Sequence, residues 1–265
     1  MGYTYFQPPV LKPGHSVSDW IPWLRDQKIV YDFLPQPPMV CDLCGKPCGQ
    51  RDDGEKWTYC YNCQGYISYL DALVVGSYSF YGGLESLVGT YKSSMGPDGN
   101  PVVWRRLPLS TILWAIFFKH GQCIDAALGE DRLYTWVPSD DQSRSFDHIE
   151  EIIKGTVGLW EGFPWKQGVI QRNREFARPA RNTVQSVAYD VTEDVAGKSI
   201  LLFDDLWTTG GSMVSAAAAL KHAGAAKVIG VVLGRQVNPV LSGHAELADV
   251  VVRREWRLDA CPLCA

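Results

Sequence analysis

Asp204 and Asp205 stand just ahead of Thr208-Thr209-Gly210-Gly211-Ser212, so two carboxylates precede a run of hydroxyls and glycines. Glycines let a backbone curl round an anion without Cβ interference, and the hydroxyls of Thr208, Thr209 and Ser212 add donors. Carboxylates repel phosphate but accept hydrogen bonds from sugar hydroxyls. The combination therefore suits a phosphorylated sugar, with ribose beside the acids and its phosphate in the glycine loop. Taken alone, an Asp-Asp pair is a solvated strand end and a Thr-Gly step an ordinary turn. The complete order, with strand before and helix after, favours a site.

The flanking residues supply that context. The apolar run 200–203 reads as a strand buried in a parallel sheet, which puts Asp204 and Asp205 at its C-terminal edge. Ligands of open α/β sheets bind at that edge. The alanine-rich stretch 212–223 reads as a helix ended by Gly224. Its unpaired N–H groups and macrodipole favour an anion at residues 208–212, and Ser212 is placed to cap it.

A second constellation is metal chemistry. Cys41-x-x-Cys44 and Cys60-x-x-Cys63 are separated by fifteen residues, close to the spacing of a four-cysteine zinc ribbon. Each pair is expected at the tip of a tight turn, with Gly45 and Gly65 just beyond. Four thiolates complete a tetrahedral Zn2+ shell, so the site is structural. Such binding supplies about 10–16 kcal/mol apparent in finger peptides, enough to order a small module. Cys48 is a spare thiol that competes weakly with Cys44. Cys261 and Cys264 form a third pair with several readings: a second metal with an outside ligand, a redox disulfide, completion of the N-terminal site, or a frayed tail with inert thiols. Cys123, on an apolar helical stretch, reads as a core residue.

With 265 residues and 46% apolar content the chain can bury a core of its own. A net charge of −4 gives no general attraction to nucleic acid, and around the cysteine pairs Lys46, Arg51 and Lys56 face Asp42, Asp52, Asp53 and Glu55. The run 112–118 is far short of the roughly 20 apolar residues that span a bilayer. A soluble cytoplasmic protein with reduced thiols and no membrane partner is expected, and a homo-oligomer is compatible with the pattern. Residues 1–40, rich in proline and aromatics, read as an extended segment packed over the surface. Strands are expected at 73–79, 133–137, 167–170 and 227–235, with helices at 83–92, 109–128 and from 148 to about 156. Residues 171–186, with Arg172, Arg174, Arg178 and Arg181, read as an unpatterned lid, and strand-helix alternation from 133 to 237 indicates a parallel sheet.

The 200–212 segment resembles the phosphoribosyl-pyrophosphate (PRPP) motif of the type I phosphoribosyltransferases. Together with the cysteine pairs, Tyr81-Gly82, Lys92, Val137-Pro138, Arg144, Phe146 and Arg181-Asn182, it is similar to the ComF-like branch of that family over residues 41–237. The resemblance implies an α/β fold: a type I phosphoribosyltransferase-like parallel sheet with flanking helices at 71–240 and a small zinc ribbon at 41–70; residues 241–265, with Cys261 and Cys264, read as an extension outside the resemblance. It also implies transfer of ribose 5-phosphate from PRPP with Mg2+ to an unidentified nitrogen acceptor. Asp204 and Asp205 then hold the ribose hydroxyls, and Thr208, Thr209, Gly210, Gly211 and Ser212 hold the 5′-phosphate. Arg144 stabilises the departing pyrophosphate, and Arg174, Arg178 and Arg181 belong to a hood closing over the centre. Asp140 and Asp141 fall where relatives are more basic. Thr208 stands where purine-salvage members carry an aspartate, which points away from purine salvage. The same resemblance leaves open a non-catalytic PRPP-binding or scaffold protein linked to DNA uptake, for which the acidic cysteine module offers a poor nucleic-acid surface.

Overall fold

The computed structural model describes residues 16–33, 40–80, 82–93, 103–139, 146–159, 163–177, 182–241, 244–259 and 261–264. Its centre is β6 (Ser199–Trp207), flanked by β7 (Lys227–Gln236) and β3 (Arg132–Trp136), with β1 (Ala72–Val75) and β2 (Tyr78–Ser79) both along β7. All of these pairings are parallel. The near-continuous apolar runs of β6 and β7 follow from burial on both faces. Ile200 and Leu202 pack towards α6 (Gly211–His222), while Leu201 and Phe203 pack towards α4 (Val103–Leu128) and α5 (His148–Lys154). The helix α3 (Leu84–Ser93) joins the second layer through Leu84, Leu87, Val88 and Tyr91. The expected α/β sheet with flanking helices is thus observed.

Several elements depart from the sequence reading. The strand expected at 73–79 is two pieces. At Gly76 an added Cβ would lie 2.7 Å from Ile116 and 2.9 Å from the Leu233 carbonyl, so α4 presses on the backbone there. The helix expected from 109 begins at Val103 and takes Pro108 into its body, at the loss of one backbone donor. Residues 1–40 are not uniformly extended: α1 (Trp20–Asp26) forms within them. Pro22 sits in its first turn, where no helical N–H partner is needed. Trp20 and Leu24 are buried there.

The region beyond Gln167 differs most. It does not add to the parallel sheet. Instead β4 (Ile170–Arg172) pairs antiparallel with β5 (Tyr189–Val191) in a separate ribbon. Residues 171–186, read as an unpatterned lid, therefore begin within a strand. Arg172 explains the order: it donates to the backbone carbonyls of Asn173, Ala188 (2.5 Å) and Phe176 (3.0 Å), with its guanidinium 5.5 Å from the Tyr189 ring centre. Beyond the sheet, α7 (His244–Val251) leads into a packed tail. Among the described residues, no helix is long and apolar enough to cross a membrane.

Candidate functional site

The loop after β6 turns at Gly210, whose φ of +86° is left-handed and which serves as the N-cap of α6. Two constraints meet there. A Cβ at Gly210 would be strained by φ, and it would also lie 2.3 Å from the Trp207 ring. Trp207 is buried, with Tyr66 of the cysteine module edge-on at 6.1 Å. No side chain caps α6. Ser212, expected as a cap, falls inside the first turn because the helix begins at Gly211. A helix N-terminus whose cap residue has no side chain is suited to an anion. Thr208 is exposed, and Thr209 and Ser212 are half-buried.

The two acids diverge because adjacent strand residues face opposite sides. Asp204 is half-buried, and its Oδ1 accepts from the Asp205 backbone N–H at 2.8 Å. Asp205 is buried on the α4 side. Its Oδ2 forms an ion pair with Lys92 of α3 and lies 2.8 Å from His148 Nε2 at the start of α5. Burial pushes the Asp205 carboxyl up, but the Lys92 ammonium and His148 outweigh it and hold the group well below the usual carboxylate range. The pairing with His148 was not anticipated from sequence: the two lie 57 positions apart, with no pattern that joins them.

A guanidinium also escaped the sequence reading. Arg235 of β7 is buried beneath the loop. Its Nη1 donates to the carbonyls of Trp207 (3.1 Å), Thr208 (2.7 Å) and Gln236 (2.6 Å), and its Nε to that of Cys44 (3.1 Å). One cation thus fixes the glycine loop and ties it to the first cysteine knuckle.

In that module the Sγ atoms of Cys41, Cys44, Cys60 and Cys63 all lie within 4.8 Å of one another and are buried. The donor set fits tetrahedral zinc. Contact with Cys44 pulls the Cys41 thiol down to about 6, and contact with Cys41 pulls Cys60 lower still, while Cys44 and Cys63 are pushed up. Only the first pair sits in a tight turn, closed by the Val40–Pro47 bridge, where Gly45 has φ +65°. The second pair starts α2 (Tyr61–Tyr66), with Cys60 as its N-cap, so Gly65 is helical rather than a turn residue. Cys48 stays outside the set, donating to the Trp57 carbonyl at 3.0 Å.

On the adjoining strand, a cleft of about 280 Å³ lies between the segment after β3 and the β4–β5 ribbon, lined by Pro138, Ser139, Asp147, Arg172 and Arg174 among others. Asp147 is held in place as the N-cap of α5 and by the Trp136 indole at 2.9 Å. Arg174, named for the expected hood, lines this cleft. Tyr81, Asp140, Asp141, Arg144, Arg178 and Arg181 lie outside the described residues. Asn182 is described, with φ +66° and its Oδ1 accepting from Asn62 of the cysteine module at 2.8 Å.

Comparison with known proteins agrees with this geometry. Residues 166–239 match the phosphoribosyl transferase domain family. The chain is 31% identical over 120 residues to a ribose-phosphate pyrophosphokinase of Chlorobaculum tepidum, covering 43% of this chain and 35% of that protein. It is 46% identical over 68 residues to the ribose-phosphate pyrophosphokinase of a Marinomonas species, covering 26% and 20%. The chain therefore spans about a third or less of the length of these relatives. A phosphoribosyltransferase structure from Corynebacterium diphtheriae overlaps 64% of this chain and 89% of its own, at 18% identity and a TM-score of 0.27, too loosely to transfer any residue's role.

Proposed function

We propose that this protein is a phosphoribosyltransferase that takes PRPP, with Mg2+, and transfers ribose 5-phosphate to a nitrogen acceptor. The observation that carries the reading is the left-handed Gly210 cap: an uncapped helix N-terminus directly beyond two acids, at the C-terminal edge of the central strand. The match of residues 166–239 to the phosphoribosyl transferase domain supports it.

In this reading the 5′-phosphate sits against the N–H groups of residues 210–212, with the hydroxyls of Thr208 and Ser212 beside it. Asp204 takes the ribose hydroxyls and is the carboxylate placed to hold a Mg2+ that arrives with the pyrophosphate, whose charge that ion neutralises. Asp205, engaged by Lys92 and His148, fixes the strand edge instead of reaching solvent. This revises the expectation that both acids touch ribose. The cleft beside Pro138 receives the pyrophosphate, with Arg174 and the Arg144 that the sequence resemblance names countering its charge as the C1 bond breaks. Positioning and charge neutralisation do most of the work.

Calorimetric titration of PRPP with Mg2+ tests binding, and release of pyrophosphate with candidate amine acceptors tests turnover. Saturable binding that falls at least tenfold in Asp204→Asn is expected. No binding by the native chain, or unchanged affinity in that variant, overturns the reading.

A further inference from the structure

The tail beyond α7 is packed. Trp256, Leu258 and Cys261 are buried with α1 and α4. The Trp256 indole donates to the Gly76 carbonyl at 2.8 Å, and Arg25 donates to the Trp256 carbonyl through Nε (3.0 Å) and Nη2 (2.7 Å). The backbone N–H groups of Arg257 and Leu258 both donate to Asp32 Oδ1, at 2.8 and 2.9 Å. This course carries Cys261 and Cys264 onto α4, where His120 and Cys123 are spaced i, i+3 and so share a face.

The four side chains converge. Cys123 Sγ lies 3.4 Å from Cys261 Sγ and 3.5 Å from Cys264 Sγ, and the latter two are 3.3 Å apart. Cys264 Sγ is 3.3 Å from His120 Nδ1, and all four ligand atoms fall within 4.8 Å of one another. Zinc–sulfur bonds of about 2.3 Å set tetrahedral edges of roughly 3.8 Å, so a few tenths of an ångström of expansion admits the ion. The Cys264 N–H bonds the Cys261 carbonyl at 3.1 Å, closing the tight turn that places two thiolates on one centre. Three thiols also suit a disulfide poorly, since any pairing leaves one over, and no sulfurs are at the bonding distance of about 2.05 Å.

We infer that His120, Cys123, Cys261 and Cys264 form a second zinc site, separate from the four-cysteine module, which fastens the tail to α4. Three thiolates and one imidazole fill the shell, so the ion is structural and holds no substrate. Cys123 is then a ligand rather than the apolar core residue its helix suggests. Cys264, the exposed member, opens the route by which metal enters.

Metal content of the full chain decides the matter. Zinc per chain is measured in the native protein, in Cys60→Ser/Cys63→Ser and in Cys261→Ser/Cys264→Ser. The native protein should carry two equivalents and each double variant one. Co2+ substitution adds a readout that misfolding does not imitate. The ion retained by Cys60→Ser/Cys63→Ser should show three-thiolate absorption, and adding His120→Cys to that variant should raise the charge-transfer intensity by about a third as a fourth thiolate joins. An unchanged zinc content in Cys261→Ser/Cys264→Ser overturns the site, as does a four-thiolate spectrum in Cys60→Ser/Cys63→Ser before His120 is replaced. Loss of a thiol pair to a disulfide, read by mass in the native protein, overturns it equally.

Discussion

At the scale of single residues, Gly210 and Asp205 show how differently two members of one motif are used. Gly210 is required twice, by its φ and by the Trp207 ring. Gly210→Ala should therefore cost about 1–3 kcal/mol of stability, more than a glycine in open space, and weaken PRPP binding; denaturant melts and titration check both. Asp205 has its carboxyl depressed by Lys92 and His148 against the opposing effect of burial. A depressed carboxylate contributes stability above its unfolded value, and that contribution is lost as pH falls through the folded one. The native melting temperature should thus drop more steeply than that of Asp205→Asn between about pH 5 and pH 2, and parallel curves would contradict the pairing. The strand before this segment and the helix after it were legible from residue types and order. The separate duties of its two acids were not, because strand parity fixes which face each side chain takes, while the partners Lys92 and His148 come from helices far away in the chain.

Among elements, β7 does more than fill the sheet. Its Arg235 bonds four backbone carbonyls that belong to the glycine loop, to β7 itself and to the first cysteine knuckle. Arg235→Met keeps the bulk but leaves those carbonyls without their donor, so a loss of about 3 kcal/mol is expected in denaturant melts, together with weaker PRPP binding. An arginine at the end of an apolar strand reads in the sequence as a surface residue, since nothing local announces the carbonyls that converge on it. A strand was expected at 167–170, next to β4, but its antiparallel pairing with β5 was illegible for a related reason. Strands of three residues carry too little alternation to recognise, and Arg172 fastens them through backbone groups that no side-chain pattern records.

Over the whole molecule, the cysteine module and the glycine loop are one mechanical unit, joined by Arg235 to Cys44 and by Tyr66 to Trp207. Removing the metal from the four-cysteine site should therefore reduce PRPP affinity by about tenfold or more as well as lower the melting temperature. Titration of Cys60→Ser/Cys63→Ser checks this, and native affinity in that variant would separate the module from the site. The sheet and the first cluster were readable because spacing and apolar runs are local signals. The convergence on His120 and Cys123 was not read: Cys123 passes for a core residue on its helix, and Cys261 and Cys264 lie 138 and 141 positions from it.

The fastening of the tail also has a consequence in time. Arg25 of α1 waits 231 positions for the Trp256 carbonyl, and Gly76 waits 180 for the indole of the same residue. During synthesis, at roughly 5–20 residues per second, the N-terminal helix spends many seconds outside the ribosome before the carbonyl that Arg25 will bond has emerged. Contacts of such sequence separation form late and slowly. Leu24, which shares a buried cluster with Trp256, thus lacks part of its apolar surroundings until residue 256 has emerged.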